Sequence, residues 1–201
     1  GLEGVQIAGV RRGVGDEFLG KRLGDVARAA GHPDLDSVGA YEAVFDFYIA
    51  NRGEIGIITH YGNDATVERF FLRPTMALCT DGLMPGPGQK PHPRALGAFP
   101  KALRMAREMG IALKDIVFRM STLPCRFLGL EDPVLVPGAD ASLVLFDWNA
   151  VRERNDYLHP LVPSEGIDIV WVHGEMVLDH GTVRAPSRYR GRVLLPVAAG
   201  N

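Results

Sequence analysis

Two short, continuous apolar runs most constrain the fold of this chain. Residues 55–59 and 76–80 consist almost entirely of apolar side chains, which is typical of parallel strands buried on both faces. A helix predicted over residues 65–72 separates them, and Pro74 prevents that helix from continuing. A strand, helix, strand order predicts parallel strands joined by a right-handed crossover. The predicted fold class is therefore α/β.

An ionisable residue directly follows each of the two runs: His60 follows the first and Asp81 the second. In α/β folds the functional residues gather at the C-terminal ends of parallel strands, because the loops there form the open face. The loop after Asp81, residues 82–97, is rich in glycine and proline and has no periodicity, as is typical of active-site loops. The sequence therefore predicts a functional site with Asp81 at the end of a parallel strand.

The remaining elements change character along the chain. Apolar periodicity predicts helices over residues 16–31, 37–51, 99–109 and 113–120. Beyond residue 130, short apolar pieces alternate with turn signals; they cover residues 134–136, 142–146, 167–172 and 175–178. This pattern predicts an antiparallel β appendage that must pack on another element to be stable.

Charge and hydropathy exclude several classes of partner. The net charge is −2 and the basic residues are scattered, so neither nucleic acid nor an anionic membrane is expected to bind, whereas a small neutral or acidic ligand fits. No apolar run approaches the roughly 20 residues that cross a bilayer, and no secretory signal opens the sequence. We expect a cytoplasmic protein.

Two further features concern the cysteines and the first residue. Cys79 and Cys125 lie in apolar segments without C-x-x-C spacing, which predicts two buried thiols rather than a disulfide or a zinc site. The chain does not begin with Met, and we expect it to be a fragment of a longer protein.

A motif around Asp81 links the chain to a known family. The segment TDG at residues 80–82, followed by PHPRALGAFP at residues 91–100, resembles the S-D-G and H-P-R-x-x-G-x-F-P signature of N-acyl-D-amino-acid deacylases, or D-aminoacylases. Residues 138–147, GADASLVLFD, are similar to G-x-D-A-D-L-V-V-F-D of the wider amidohydrolase superfamily. The resemblance can be followed from about Gly20 to Arg192.

The resemblance implies a fold and a division into domains. It implies the C-terminal part of a metal-dependent (β/α)8 TIM barrel together with part of a small β-sandwich. Residues 1–130 would form the barrel portion with a helical insert, and residues 131–201 the C-terminal strands of the sandwich. Residues 76–80 would then be the last barrel strand.

The resemblance also implies a reaction: hydrolysis of the linear amide of N-acyl-D-amino acids with zinc as cofactor. Asp81 would be the catalytic proton shuttle and a possible metal ligand. The family's metal-binding histidines would precede Gly1, and the six histidines of this chain show no ligand spacing. The expected partners are therefore an N-acyl amino acid and the N-terminal remainder of the enzyme, possibly within an oligomer, and the fragment alone would be inactive.

Three residues of the loop are candidate substrate contacts. The family assigns recognition of the substrate carboxylate to the arginine that matches Arg94, and a guanidinium can hold a carboxylate through two parallel hydrogen bonds. His92 either donates to the tetrahedral oxyanion or orders the loop. Met84 would line an acyl pocket. His60 is expected to be a hydrogen-bonded histidine at the rim.

Alternatives to these assignments remain. Asp81 could instead cap a turn, and Arg94 could be a surface residue packed over the loop. The substrate could be a cyclic amide, as in dihydroorotase-like or hydantoinase-like enzymes, or the chain could be a non-catalytic remnant that binds a partner. The deacylase interpretation requires Asp81 to face the open side at the end of a parallel strand.

Overall fold

The computed structural model of the protein describes residues 1–83 and 85–184. Among them, the α-helices are α1 Leu23–Ala29, α2 Val38–Ala50, α3 Asp64–Phe71, α4 Arg94–Glu108, α5 Leu113–Met120 and α6 Thr122–Phe127. The strands are β1 Val5–Gly9, β2 Gly56–Thr59, β3 Leu143–Phe146, β4 Ile167–Val172, β5 Glu175–Asp179 and β6 Thr182–Val183. The chain is therefore α/β, as predicted. None of these helices has the length and apolar character needed to span a membrane.

The chain forms two compact units that interleave along the sequence. The first contains Gly1–Arg69, Asp81–Leu96 and Asn155–Val162; the second contains Phe70–Thr80, Gly97–Arg154 and the described residues from Pro163 onward. The sequence instead predicts one division near residue 130. The assignment of residues 1–130 to a barrel and 131–201 to a sandwich stays a prediction.

The first unit contains a two-stranded antiparallel sheet. β1 pairs with β2 in a register that places Val5 opposite Thr59 and Ile7 opposite Ile57. The prediction of a parallel pair for residues 55–59 is therefore wrong, and so is that of burial on both faces, because Ile58 is buried whereas Ile57 is half exposed. An apolar run indicates burial but does not identify the strand that pairs with it. The pairing strand, β1, lies in a glycine-punctuated stretch that has no clear strand boundary.

Helices α1 and α2 pack against each other beside this sheet. Their contact is a small core of Leu2, Ala27 and Ala40, and Ser37 caps α2 by accepting a hydrogen bond from the Ala40 N–H. The helix predicted over residues 16–31 is shorter than expected, because Gly20 adopts a φ of 85° that interrupts helical geometry.

Residues 76–80 form no regular strand, so the predicted second strand is wrong for this structure. A strand is stabilised by pairing with a neighbour, and here the Leu78 N–H donates to the carbonyl of Arg119, a residue of α5. The segment is half buried, because Met76 and Leu78 pack on the core of the second unit whereas Ala77 and Cys79 are exposed. Asp81 therefore does not follow a parallel strand.

The second unit is built around α4 and α5. Its core contains Phe71, Ala102, Leu103, Ala106, Ile116 and Val151. α4 begins five residues earlier than predicted, at Arg94 rather than Phe99, because the proline before Arg94 has a φ that suits a helix start.

The predicted β appendage is confirmed as a four-stranded antiparallel sheet in the order β3-β4-β5-β6. Gly166 immediately precedes β4 with a φ of 75°, and a Cβ there would lie 2.5 Å from the backbone nitrogen of Val151. Only glycine fits this turn without displacing the backbone. The strand predicted over residues 134–136 is absent, since those residues are exposed and lack strand structure.

The two cysteines are both free, as expected, but they are not both buried. Cys79 is exposed and Cys125 is partly exposed. The prediction of two buried thiols is wrong, because the alternation within residues 76–80 turns Cys79 away from the core.

Candidate functional site

A cavity of about 750 Å³ lies within the first unit. Its walls come from four separated stretches of sequence: Ala8 of β1, β2 with the segment after it, the loop from Asp81 to Arg94, and Tyr157. Three sequence-predicted residues line it: Asp81, His92 and Arg94. His60 also lines it, whereas Met84 lies outside the described residues. A cavity of this size suits a small-molecule ligand.

The loop that carries these residues is anchored on β1. The Lys90 N–H donates to the Ala8 carbonyl at 2.6 Å, and the Gln89 side chain accepts from the Gly86 N–H at 2.8 Å. The Gln89 side chain also lies over Gly9, where a Cβ would come within 3.1 Å of it. The loop is therefore held against the sheet by backbone and side-chain contacts.

Asp81 and Arg94 contact each other at the cavity wall. Arg94 Nη2 donates to Asp81 Oδ2 at 2.8 Å, and Arg94 Nε donates to the Asp81 backbone oxygen at 2.9 Å. Asp81 has a φ of 43°, which aspartate tolerates better than most residues. The Asp81 side chain is 80% exposed, so it is accessible to solvent.

His92 is held between Arg94 and Tyr157. Its Nδ1 accepts the Arg94 backbone N–H at 3.0 Å, so in the neutral ring the proton resides on Nε2. Nε2 then donates to the Tyr157 hydroxyl at 3.3 Å. Both ring nitrogens are engaged, which favours loop ordering over the alternative of oxyanion donation for His92.

His60 is hydrogen-bonded, in agreement with its predicted role. Gln6, which is 2% exposed, uses its Nε2 to donate to the carbonyls of Gly20 and Tyr157. Its Oε1 is therefore the acceptor for His60 Nε2, at 3.0 Å. Burial, and secondarily the positive charge of Arg22, lowers the pKa of His60, so this ring is neutral at physiological pH.

Tyr157 lines the cavity and was not among the site residues predicted from the sequence. Its ring lies 4.7 Å from the His60 ring and 5.1 Å from the His92 ring, between centroids. The preceding Asn155 is 9% exposed and donates from Nδ2 to the Pro93 carbonyl at 2.7 Å and to the Pro160 carbonyl at 2.9 Å. A tyrosine in a polar loop carries no sequence signal that connects it to a site 65 residues earlier.

The described part of the chain offers no cluster of metal ligands of its own. Within residues 1–83 and 85–184 no group of three or more His, Cys, Asp or Glu side chains could hold a metal ion. A zinc site takes three or four protein ligands, and the described residues do not supply such a set.

Comparison with curated proteins places the chain among deacylases. Over 151 residues it is 36% identical to an N-acyl-D-aspartate deacylase of Alcaligenes xylosoxydans xylosoxydans, a match that covers 74% of this chain and 30% of the relative. It is 35% identical over 142 residues to an N-acyl-D-glutamate deacylase of the same organism, covering 69% of this chain and 28% of that relative. A shorter match of 98 residues, 33% identical, is to a dihydroorotase of Elusimicrobium minutum and covers 43% of this chain and 23% of that protein.

Solved structures give the same result. A D-aminoacylase, reported in work on the role of its binuclear metal centre, matches with a TM-score of 0.77 at 27% identity, covering 95% of this chain and 37% of that one. An N-acyl-D-glutamate deacylase from Bordetella bronchiseptica, complexed with zinc and a phosphonate that mimics the tetrahedral intermediate, matches with a TM-score of 0.71 at 30% identity, covering 88% and 35%. No protein-family model matches the chain. The chain thus spans 30% or less of the length of the curated deacylases.

Proposed function

Because the chain belongs to the N-acyl-D-amino-acid deacylase family of amidohydrolases, we propose that the complete protein cleaves the linear amide of N-acyl-D-amino acids. The products would be a carboxylate and a free amino acid. The observation that carries this proposal is the cavity in which Asp81 and Arg94, the two residues of the family motif with the required chemistry, lie side by side.

The proposal extends to the fold of the complete protein. The match to D-aminoacylase over 95% of the chain supports a (β/α)8 barrel with a small β-sandwich, in which residues 1–130 belong to the barrel and residues 131–201 to the sandwich. The criterion of a parallel strand before Asp81 is not met in this chain. The expectation that the deacylase interpretation requires such a strand is therefore wrong, because the matches to deacylases in sequence and in fold extend over most of the chain.

In this proposal Asp81 moves the proton. Its Oδ2 accepts from Arg94, which leaves Oδ1 to take a proton from the attacking water and to return it to the departing nitrogen. The side chain is exposed at the cavity, so a substrate amide can approach it. The contact with Arg94 limits the orientations of the carboxylate and thereby presents one oxygen to the substrate.

Arg94 in this proposal binds the α-carboxylate of the substrate. A guanidinium has five N–H donors, and the contacts with Asp81 use one on Nε and one on Nη2. Three donors remain, and two of them form the Nη1–Nη2 edge, enough for a two-point contact with a carboxylate. The contact with Asp81 and the binding of substrate are therefore compatible. His92 would order the loop beside Arg94, and Met84 would line the acyl pocket.

Zinc is the proposed cofactor, in line with the zinc complex of the Bordetella deacylase. When bound, it would lower the pKa of its water to about 7. The described residues do not provide the ligand set, so the proposal assigns Asp81 as one possible ligand and leaves the others outside this chain. The cytoplasmic location and an oligomeric state stay predictions.

A cyclic amide is the second candidate substrate class, and the match to a dihydroorotase favours it. That match covers 43% of the chain, whereas the deacylase matches cover 74% and 69%. The larger coverage supports the linear amide.

The test is an activity assay on the complete protein with added zinc. N-acetyl-D-aspartate, N-acetyl-D-glutamate and an apolar N-acetyl-D-amino acid would be compared with their L-enantiomers and with hydantoin and dihydroorotate. We expect release of free D-amino acid and no opening of the cyclic amides. Turnover of the cyclic substrates alone would replace this proposal by the second candidate, and no turnover of either class would reject both.

A further inference from the structure

Tyr157 connects the two imidazoles of the cavity to each other. Its ring lies against both His60 and His92, its hydroxyl contacts His92 Nε2, and its backbone oxygen accepts from the buried Gln6. The segment that carries it, Asn155–Val162, belongs to the same compact unit although it is distant in sequence from the rest. The position of Tyr157 is therefore fixed by contacts of its backbone oxygen and of its side chain.

The contacts continue from His92 to the proposed ligand-binding cation. His92 Nδ1 accepts the backbone N–H of Arg94, at the first residue of α4, and the Arg94 side chain contacts Asp81. A rotation of the His92 ring would break its hydrogen bond to the Arg94 N–H. The turn over residues 92–94, which sets the direction of the Arg94 side chain, would then be less constrained. The hydrogen bond between His92 Nε2 and the Tyr157 hydroxyl is a contact that opposes such a rotation.

From these contacts we infer that Tyr157 is a positioning residue, which orients the Arg94 guanidinium towards the substrate α-carboxylate through the His92 ring. The inference rests on the proposed function for the identity of the ligand. It assigns to Asn155 a supporting part, because the amide of Asn155 ties the Pro93 carbonyl to the same segment.

The kinetic test uses the complete protein and four variants: Tyr157→Phe, Arg94→Met, the double variant, and Tyr41→Phe. Tyr41 lies on α2, does not line the cavity, and undergoes the same loss of a hydroxyl. Substrates are an N-acetyl-D-amino acid and its α-carboxamide analogue. Loss of one neutral hydrogen bond predicts that Tyr157→Phe raises KM for the acid about fivefold, with kcat unchanged.

Two comparisons distinguish positioning from a general structural role. On the carboxamide, Tyr157→Phe should have no effect on KM, and in the Arg94→Met background it should have none on the acid. The Tyr41→Phe control should match the parent protein throughout. An equal rise of KM on both substrates, a fall in kcat, or effects that add in the double variant would overturn the inference.

A second measurement does not need activity, so it separates this inference from the proposed function. Pro91 and Pro93 have no amide hydrogen, so a peptide spanning residues 90–95 reports strongly on the amides of His92 and Arg94. We expect hydrogen exchange at this peptide to be faster in Tyr157→Phe than in Tyr41→Phe. Equal exchange would overturn the positioning role, whereas an inactive parent protein would reject the proposed function alone.

Discussion

The guanidinium of Arg94 and the carboxylate of Asp81 lie 2.8 Å apart, and a second bond of 2.9 Å joins Arg94 Nε to the Asp81 backbone oxygen. The side chains are 42% and 80% exposed, and exposed pairs of this kind contribute only about 0.2–1 kcal/mol to stability. The pair therefore adds little to stability, and in the proposed function it orients one carboxylate oxygen and one guanidinium edge for the substrate.

The first prediction concerns Asp81. In the complete protein, Asp81→Asn should lower kcat at least about 10²-fold, because the amide cannot take and return a proton. The bound metal, measured by elemental analysis, should be unchanged. Asp64→Asn, at another acid of the same cavity, is the matched control and should retain activity. Appreciable turnover by the Asp81 variant would refute its role.

The second prediction concerns Arg94. Arg94→Met should raise KM for substrates with a free α-carboxylate about 10- to 100-fold, the range expected for hydrogen bonds between charged groups. Arg94→Lys should raise KM less than Arg94→Met does, because lysine keeps the positive charge but lacks the planar guanidinium with its two parallel donors. Arg69→Met, on an exposed site of α3, is the control. A similar loss on the α-carboxamide analogue would argue against the contact.

Arg119 supports a third prediction, on stability. It is 3% exposed, and it donates to the Phe71 carbonyl at 2.5 Å and to the Met76 carbonyl at 3.1 Å. Burial lowers the pKa of this guanidinium. Arg119→Met leaves two carbonyls unsatisfied and should reduce the free energy of unfolding by about 1–3 kcal/mol.

Urea or thermal unfolding measures this effect. The same substitution at Arg126, whose side chain is 59% exposed and pairs with Asp132, should leave the free energy of unfolding nearly unchanged. Equal effects at the two positions would show that the buried contacts of Arg119 do not stabilise the fold.

The lowered pKa of Glu153 leads us to expect that the stability of the fold depends on pH. Burial alone would raise the pKa of Glu153, but the hydrogen bond from Arg104 and nearby positive charge outweigh it, and the pKa lies below its ordinary value of 4.5. A carboxyl with a depressed folded-state pKa adds stability above the unfolded pKa, and this is lost as the pH falls through the folded pKa.

Glu153→Gln should therefore be less stable than the parent protein at pH 7, and the difference should shrink below about pH 4.5, where the unfolded-state carboxyl takes up its proton. Unfolding curves between pH 7 and pH 3 measure it, with Glu68→Gln on the exposed side of α3 as control. A stability difference between Glu153→Gln and the parent protein that stays constant from pH 7 to pH 3 would contradict the link between the pKa of Glu153 and stability.

The fifth prediction compares two glycines in the β appendage. Gly166 and Gly174 have φ values of 75° and 79°, but an added Cβ at Gly166 would lie 2.5 Å from Val151 N, whereas at Gly174 nothing lies within 4 Å. Gly174→Ala should cost about 1 kcal/mol of backbone strain. Gly166→Ala should cost clearly more, because the backbone must move. Equal midpoints of thermal unfolding would be evidence against this close approach.

Elements with a local signal were predicted well. Helices α2 and α5 and the strands from β3 to β5 follow from periodicity and turn residues close in sequence. The motif around Asp81 and Arg94 indicates the family from residue order alone, in agreement with the curated deacylases that the chain matches. Each of these signals is contained in a stretch of about twenty residues or fewer, which is the range over which propensity, capping and turn chemistry act.

Elements that depend on distant partners were predicted poorly. The apolar run at residues 76–80 lacks a strand neighbour and binds the Arg119 carbonyl instead, and residues 55–59 contribute β2, the antiparallel partner of β1. Strand pairing is a property of two segments, so the pattern of one segment indicates burial but neither direction nor neighbour.

The chemistry of this protein was encoded locally: the aspartate, the arginine and the proline-bounded loop between them can be identified from residue order alone. The surroundings of this motif were not, because the placement of Tyr157 against His60 and His92 arises when segments up to 151 residues apart pack together. Such contacts depend on the competition among all possible packings of the chain, which no single stretch of sequence contains.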